Sequence, residues 1–301
     1  MIIGIIALIV GNFLGAAINP TFIKLGIREM PPFTFTMLRF MIASAALYPL
    51  YHGLKSHKLK KGHVIELTRY TIFHSANILL FLVAIPHTTV LMSMIFYALT
   101  PVMTGIFSHY FTHEKLTKNQ VTGAAIAFIG IGFLFIQSLE KSGANTFGTP
   151  GGNALMFLAA TSLAIYYTLT RKMSKQYNVV ALSLFGNLLT GSLSLLIVPY
   201  ELITYHGAFH ITPFAIMSVV LVGVLGSAAM LFLTQYGIKH TNAFLGSVFL
   251  YLGPLFAAVT AIPLLHEEVT TKLIIGGALI LFGVFYATTS SRIFRRRDAA
   301  L

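Results

Sequence analysis

The apolar runs in this sequence are too long and too unbroken for the interior of a soluble domain. Segments such as Ala154 to Thr170 and Leu273 to Thr289 approach the roughly 20 apolar residues that a helix needs to cross a bilayer. They do not alternate between polar and apolar positions, which excludes barrel strands. Lipid offers no hydrogen-bond partners, so a spanning backbone that is not a closed barrel must be helical. Only 9% of the 301 residues are charged and 56% are hydrophobic, against roughly a quarter charged in a typical soluble domain. The expected class is therefore an all-α membrane protein.

Reading apolar stretches against charge and Pro/Gly breaks gives ten transmembrane helices: 2–22, 33–51, 69–85, 88–110, 120–137, 153–170, 179–199, 213–236, 241–264 and 272–290. Met1 to Phe22 lacks the basic start of a signal peptide and carries Asn12 and Asn19, so it is expected to remain as the first helix. The main breaks are the basic stretch His52 to Arg69 and the Gly/Ser/Asn-rich stretch Ser138 to Gly152. The net charge of +12 resides in the loops rather than in a nucleic-acid-binding face. If the N-terminus is cytoplasmic, one set of loops holds Lys55, Lys58, Lys60, Lys61, Arg69, Lys115, Lys118, Arg171, Lys172, Lys175, Lys239 and the Arg292, Arg295, Arg296 and Arg297 tail; the other holds only Lys24, Arg28, Lys141 and Lys272. The positive-inside rule then sets both termini in the cytoplasm of a cell-membrane protein.

Sliding the chain against itself by 153 positions lays Ile85 on Ile238, His87 on His240 and Thr88 on Thr241. Without a gap, Pro101 then meets Pro254, His113-Glu114 meets His266-Glu267, Gly123 meets Gly276 and Gly130 meets Gly283. A unit of five helices must insert its second copy upside down. Two inverted five-helix repeats around a central cavity are the architecture of many secondary transporters. The expected division is 1–137 for the first repeat, 138–152 for a linker, 153–291 for the second repeat and 292–301 for a basic tail.

The block Pro101, His113-Glu114-Lys115-Leu116-Thr117, Gly123, Gly130 and its copy from Pro254 to Gly283, together with Arg39-Phe40, resembles the EamA-type repeat of the drug/metabolite transporter superfamily. The resemblance implies ten helices, cytoplasmic termini and a cavity lined by the first, third, fourth, sixth, eighth and ninth spans. It also implies transport of amino acids, other small metabolites or toxic compounds. The chain has no Trp, so positions filled by Trp in exporters of aromatic amino acids must be filled otherwise.

Polar groups inside apolar helices are costly and mark candidate substrate paths. Asn12 and Asn19 share a face of the first span, next to Gly15. His74, Asn77 and Phe81 share one face of the third, and their repeat equivalents are Ser227, Met230 and Thr234. Ser93 and Tyr97 precede Pro101, as Ser247 and Tyr251 precede Pro254, which makes the two prolines candidate hinges. Tyr166 or Tyr167 supplies another ring. Arg39 is the one intramembrane charge; it is expected to snorkel outward or to hold helix-end carbonyls, with binding of a substrate carboxylate as the alternative. Glu114 and Glu267 are expected to cap the helices that follow them. No Asp or Glu lies in the middle of a span.

The histidine pairs His109/His113 and His206/His210 lack a fitting carboxylate, so no metal is expected; no cofactor motif, catalytic pair or Cys appears, and the chain is not expected to be an enzyme. The favoured partners are a small-molecule substrate and the lipid bilayer. Gly123, Gly130, Gly276 and Gly283 provide small faces for helix contacts within the chain or in a homodimer. The favoured function is export of amino acids or related amphiphiles; the alternatives are a multidrug exporter and, in another class, an intramembrane enzyme or receptor.

Overall fold

The computed structural model describes residues 1–53, 61–88, 93, 96–141, 149–205, 207, 209, 211–253, 255–257, 259 and 271–297, and among these there is no strand. Helix α1 (Ile2–Phe13) runs through a π segment (Leu14–Ile18) into α2 (Asn19–Gly26). Next come α3 (Pro32–Gly53), α4 (Lys61–Ala84) with a 3-10 turn at Ile85–His87, α5 (Thr100–Thr112) and α6 (Lys118–Lys141). The second half holds α7 (Pro150–Gln176), α8 (Val179–Thr204), and α9 (Pro213–Leu221), which passes through a second π segment (Val222–Ala229) into α10 (Met230–His240). Helix α11 (Ala243–Val248) tightens into a 3-10 turn (Phe249–Leu252), and α12 is Thr271–Arg297.

Among the described residues, five continuous helical stretches are long and apolar enough to cross a membrane: Pro32–Gly53, Gly62–His87, Pro150–Gln176, Val179–Thr204 and Pro213–His240. Their outward faces are apolar, with Leu196 76% and Ile203 80% exposed. An apolar surface on this scale belongs against lipid. The protein is a multi-pass membrane protein.

Local chemistry sets the helix starts. Thr149, Asn178, Thr212 and Asn242 each accept a hydrogen bond from a backbone N–H in the first turn of α7, α8, α9 and α11, and Pro150 and Pro213 stand where no N–H is needed. Helix α3 is capped from a distance. The Glu201 carboxylate, at the end of α8, accepts from Phe33 N at 2.7 Å, Thr34 N at 2.8 Å and the Thr34 hydroxyl at 3.0 Å. Glu201→Ala leaves those buried donors without an acceptor and is expected to cost about 2–4 kcal/mol. An unchanged thermal unfolding temperature in detergent would rule out this cap.

The third span differs from expectation at its start. Helix α4 begins at Lys61 rather than near residue 69, because its first turns, with Glu66 exposed, continue past the apolar stretch. The most intimate pairing is α6 with α12, which run antiparallel. A Cβ at Gly123 would lie 2.5 Å from Gly283 O, and one at Gly130 would lie 2.7 Å from Gly276 O. The four glycines are thus spent on a contact within the chain. Elsewhere α1 packs along α10, α4 along α7, and α3 along α8. At the α1 crossing, Gly4 and Gly11 admit the backbone around Gly237 and Thr234.

Candidate functional site

Two wide turns mark the middle of the bundle. The π segments of the first and eighth spans pack against each other; a π turn displaces the i→i+4 ladder and recurs at functional sites. The Asn19 amide donates to Gly226 O at 3.0 Å, a contact possible only because position 226 has no side chain. One turn away, the Met230 side chain lies over Gly15. The structure thus brings Asn19 and Met230 together as neighbours of one junction. Asn12, by contrast, spends its amide donor on Leu8 O of its own helix at 2.9 Å.

Beside this junction lies a buried polar and aromatic network built from α4, α7, α8 and α10. Tyr70 and Tyr166 stack with ring centroids 5.0 Å apart, and the His74 ring lies 5.0 Å from Tyr166 on another side. The Tyr70 and Thr170 hydroxyls are 2.8 Å apart. The Gln235 amide donates to the Tyr166 hydroxyl and accepts from the Ser183 hydroxyl at 2.7 Å. His74 and Tyr166 are sequence candidates. Tyr70, Thr170, Ser183 and Gln235 are not, although applying the cost of buried amides to every span would have singled out Gln235, and with it the fully buried Asn187.

A second cluster joins the third, fourth and sixth spans. The Asn77 amide donates to the Tyr97 hydroxyl at 2.6 Å and to Ala159 O at 2.9 Å, and Phe81 meets the Tyr97 ring edge-on at 6.1 Å. The Tyr251 hydroxyl donates to Ala98 O at 2.8 Å, just where the backbone bends ahead of Pro101 in the first turn of α5. Ser247 turns back on Phe244 O of its own helix at 2.7 Å, and Ser93 is buried. Pro254 and Glu267 lie outside the described residues.

Arg39 departs from the favoured expectation. It is buried and does not snorkel; its guanidinium lies over the Phe40 ring at 4.5 Å and its Nε has no hydrogen-bond partner. The reason is steric. Helix α3 packs closely against α8 and the second π segment, with the Arg39 carbonyl against Gly223, so this residue faces protein.

The sequence profile of the EamA-like transporter family matches residues 2–136 and again residues 150–289. The chain belongs to this family. Among EamA-like relatives it is similar to the uncharacterized transporter YcxC of Bacillus subtilis (strain 168), 23% identical over 275 residues that cover 87% of this chain and 86% of the relative. An uncharacterized transporter of Archaeoglobus fulgidus is 27% identical over 269 residues, covering 88% and 91%. A crystal structure known only as "Crystal structure of protein" superposes with a TM-score of 0.74 at 19% identity, covering 97% of each chain, and so shares the fold. The EamA-like chain is a membrane transporter.

In this EamA-like chain Glu114, expected as a cap of the helix that follows it, acts elsewhere. Helix α6 is capped by a Thr117/Gln120 box, in which Thr117 N donates to Gln120 Oε1 at 3.0 Å and Gln120 N to the Thr117 hydroxyl at 3.2 Å. Glu114 therefore does not cap the helix that follows it. Its carboxylate accepts from Arg171 Nε at 3.0 Å and from Ala243 N, at the start of α11, at 3.4 Å. Arg171 also donates through Nη1 to Ile238 O at 3.3 Å and to Lys239 O. One ion pair thus clasps the ends of α5, α7, α10 and α11. Nearby the Tyr177 hydroxyl donates to Glu66; partial desolvation and then that carboxylate push its phenol up to about 12, so it remains a donor through the physiological range. Among the described residues no group of three or more His, Asp or Glu side chains could hold a metal.

Proposed function

We propose that the protein is a secondary transporter that exports amino acids or related small amphiphiles across the cell membrane by alternating access, with two inverted five-helix repeats and cytoplasmic termini. The observation that carries this reading is the crossing of α6 and α12. Gly123 meets Gly283 while Gly130 meets Gly276, and the 153-position offset makes Gly123 equivalent to Gly276 and Gly130 to Gly283. Such reciprocal contacts are what a two-fold axis lying in the membrane plane would produce. The exchange of partners elsewhere supports the same axis, since α1 packs on α10 as α7 packs on α4. Rocking of one repeat against the other about a shared polar centre is the mechanism such an architecture supports.

The centre itself suits an amphiphile. Stacked tyrosines offer flat apolar surface, and the amides and hydroxyls of Asn77, Gln235 and Tyr97 offer directional bonds. Counterflow of labelled amino acids in liposomes tests the proposal. Wild-type protein is expected to exchange at least one of them, and Asn77→Ala is expected to slow that exchange about tenfold, with a smaller loss for Tyr97→Phe. Absence of counterflow for every amino acid would reject the substrate class; wild-type rates in both variants would reject the site.

A further inference from the structure

We infer that Arg39 is the receptor for a substrate carboxylate, so that the transported compounds are monoanionic or zwitterionic acids held by their acid group next to His74 and Asn187. This deepens the proposed transport function and rests on it.

A guanidinium at membrane depth is expensive and is normally paired. Arg39 is 6% exposed, its Nε is unpartnered, and among the described residues no carboxylate lies within salt-bridge distance of it. Glu201, which reaches the start of the same helix, is engaged there by Phe33 and Thr34. Glu114 is held by Arg171. The positive charge is therefore not neutralised by the protein's own described acids.

Buried polar groups on the helices that pack around α3 are similarly unspent. The Arg39 guanidinium carbon lies 4.5 Å from the centre of the Phe40 ring, and that ring in turn meets the His74 ring edge-on at 6.0 Å, so cation and imidazole both contact a single phenyl group. His74 Nε2 is buried without a hydrogen bond. Asn187 is 0% exposed and neither its amide nitrogen nor its oxygen has a partner. It lies one residue after Gly186, which faces the His74 ring, and one turn before Thr190, whose hydroxyl is bonded to Ser75 on α4. Ser227 Oγ, on the π segment that packs against α3, is unpartnered as well.

Natively folded proteins rarely leave so many buried polar atoms unpaired, and each is a group that a ligand can satisfy. The Phe40 ring covers the guanidinium without using its N–H groups, and the unpartnered Nε can join in receiving the two oxygens of a carboxylate. An imidazole N–H or the Asn187 amide can add a further donor to the same group. A single cation suits one negative charge; a phosphate dianion would call for a cluster of cations.

The test uses the full-length purified protein and a panel of probes in matched pairs: amino acids and monocarboxylates, each beside its methyl ester or amide, with glucose 6-phosphate and the cation tetraphenylphosphonium added. Thermal stabilisation and liposome counterflow are both read. At least one acid is expected to stabilise and exchange in wild type, with its ester or amide about ten- to hundredfold weaker. Arg39→Gln is expected to erase that difference and Arg39→Lys to restore part of it. Equal response to an acid and its ester in wild type overturns the assignment without recourse to any variant that might misfold, while transport itself stands. Preference for glucose 6-phosphate or tetraphenylphosphonium, or full acid selectivity in Arg39→Gln, overturns it too. A wild-type protein that neither binds nor exchanges any probe overturns both this inference and the transport reading beneath it.

Discussion

Gly123→Leu is expected to be strongly damaging, lowering the thermal unfolding temperature of the purified protein sharply or preventing its recovery as a monodisperse species. Helices in lipid gain little from the hydrophobic effect and depend on close packing. At this crossing, a Cβ on residue 123 would come within 2.5 Å of both Ala287 N and Gly283 O. Backbone atoms cannot give way as a flexible side chain can, so α6 and α12 must separate and lose their shared surface. The cost is expected to exceed the roughly 1–3 kcal/mol typical of overpacking. The same replacement at Gly132 on the same helix, where nothing lies within 4 Å of a built Cβ, is expected to change little. Equal behaviour of the two variants would show that the crossing is not tight in the membrane.

The second large effect is expected at the ion pair between Arg171 and Glu114. Arg171→Ala removes the ion pair to Glu114 and the bonds to two carbonyls, leaving the ends of α5, α7, α10 and α11 without their common tie. Under the proposed topology this is the cytoplasmic end, and its opening should become more frequent. The chain has no Cys, so Ser183→Cys introduces a unique thiol at a fully buried position one turn into α8. Alkylation of that thiol by N-ethylmaleimide is expected to be about five- to fiftyfold faster when Arg171 is Ala. The lower figure allows for solvent screening of a partly exposed pair. Arg171→Lys should fall between, since an ammonium cannot span a carboxylate and two carbonyls in one plane. An alkylation rate independent of residue 171 would remove the clasp from the mechanism.

The features legible in the sequence were those that repeat or that cost energy locally. Apolar runs mark the five long membrane-crossing helices, and the 153-position offset pairs the glycines that lie at the α6 and α12 crossing. Asn77 and Tyr97 stand out in the sequence because amides and hydroxyls are expensive in lipid, and in the structure they are bonded to each other. What stayed hidden depended on distant partners. Nothing near Glu114 in sequence shows that Arg171, on another helix, will claim its carboxylate, while Thr117 and Gln120, close by, cap α6. Gln235 and Asn187 obey the same energetic rule as Asn77, but their setting depends on where α8 and α10 meet α4 and α7. The π segments were invisible because the choice between i+4 and i+5 bonding is made by packing, not by propensity.

Those wide turns have a consequence for how such chains can vary. Each lodges a spare residue in its helix. A helix advances about 100° per residue, so losing one position from an ordinary turn would swing everything downstream into a new phase, whereas losing one from a wide turn restores ordinary winding and leaves the far half facing as before. The cost of such a loss is confined to the junction of Asn19 with the Gly226 carbonyl. Single-residue deletions that would re-aim half a helix elsewhere can be absorbed at these two places.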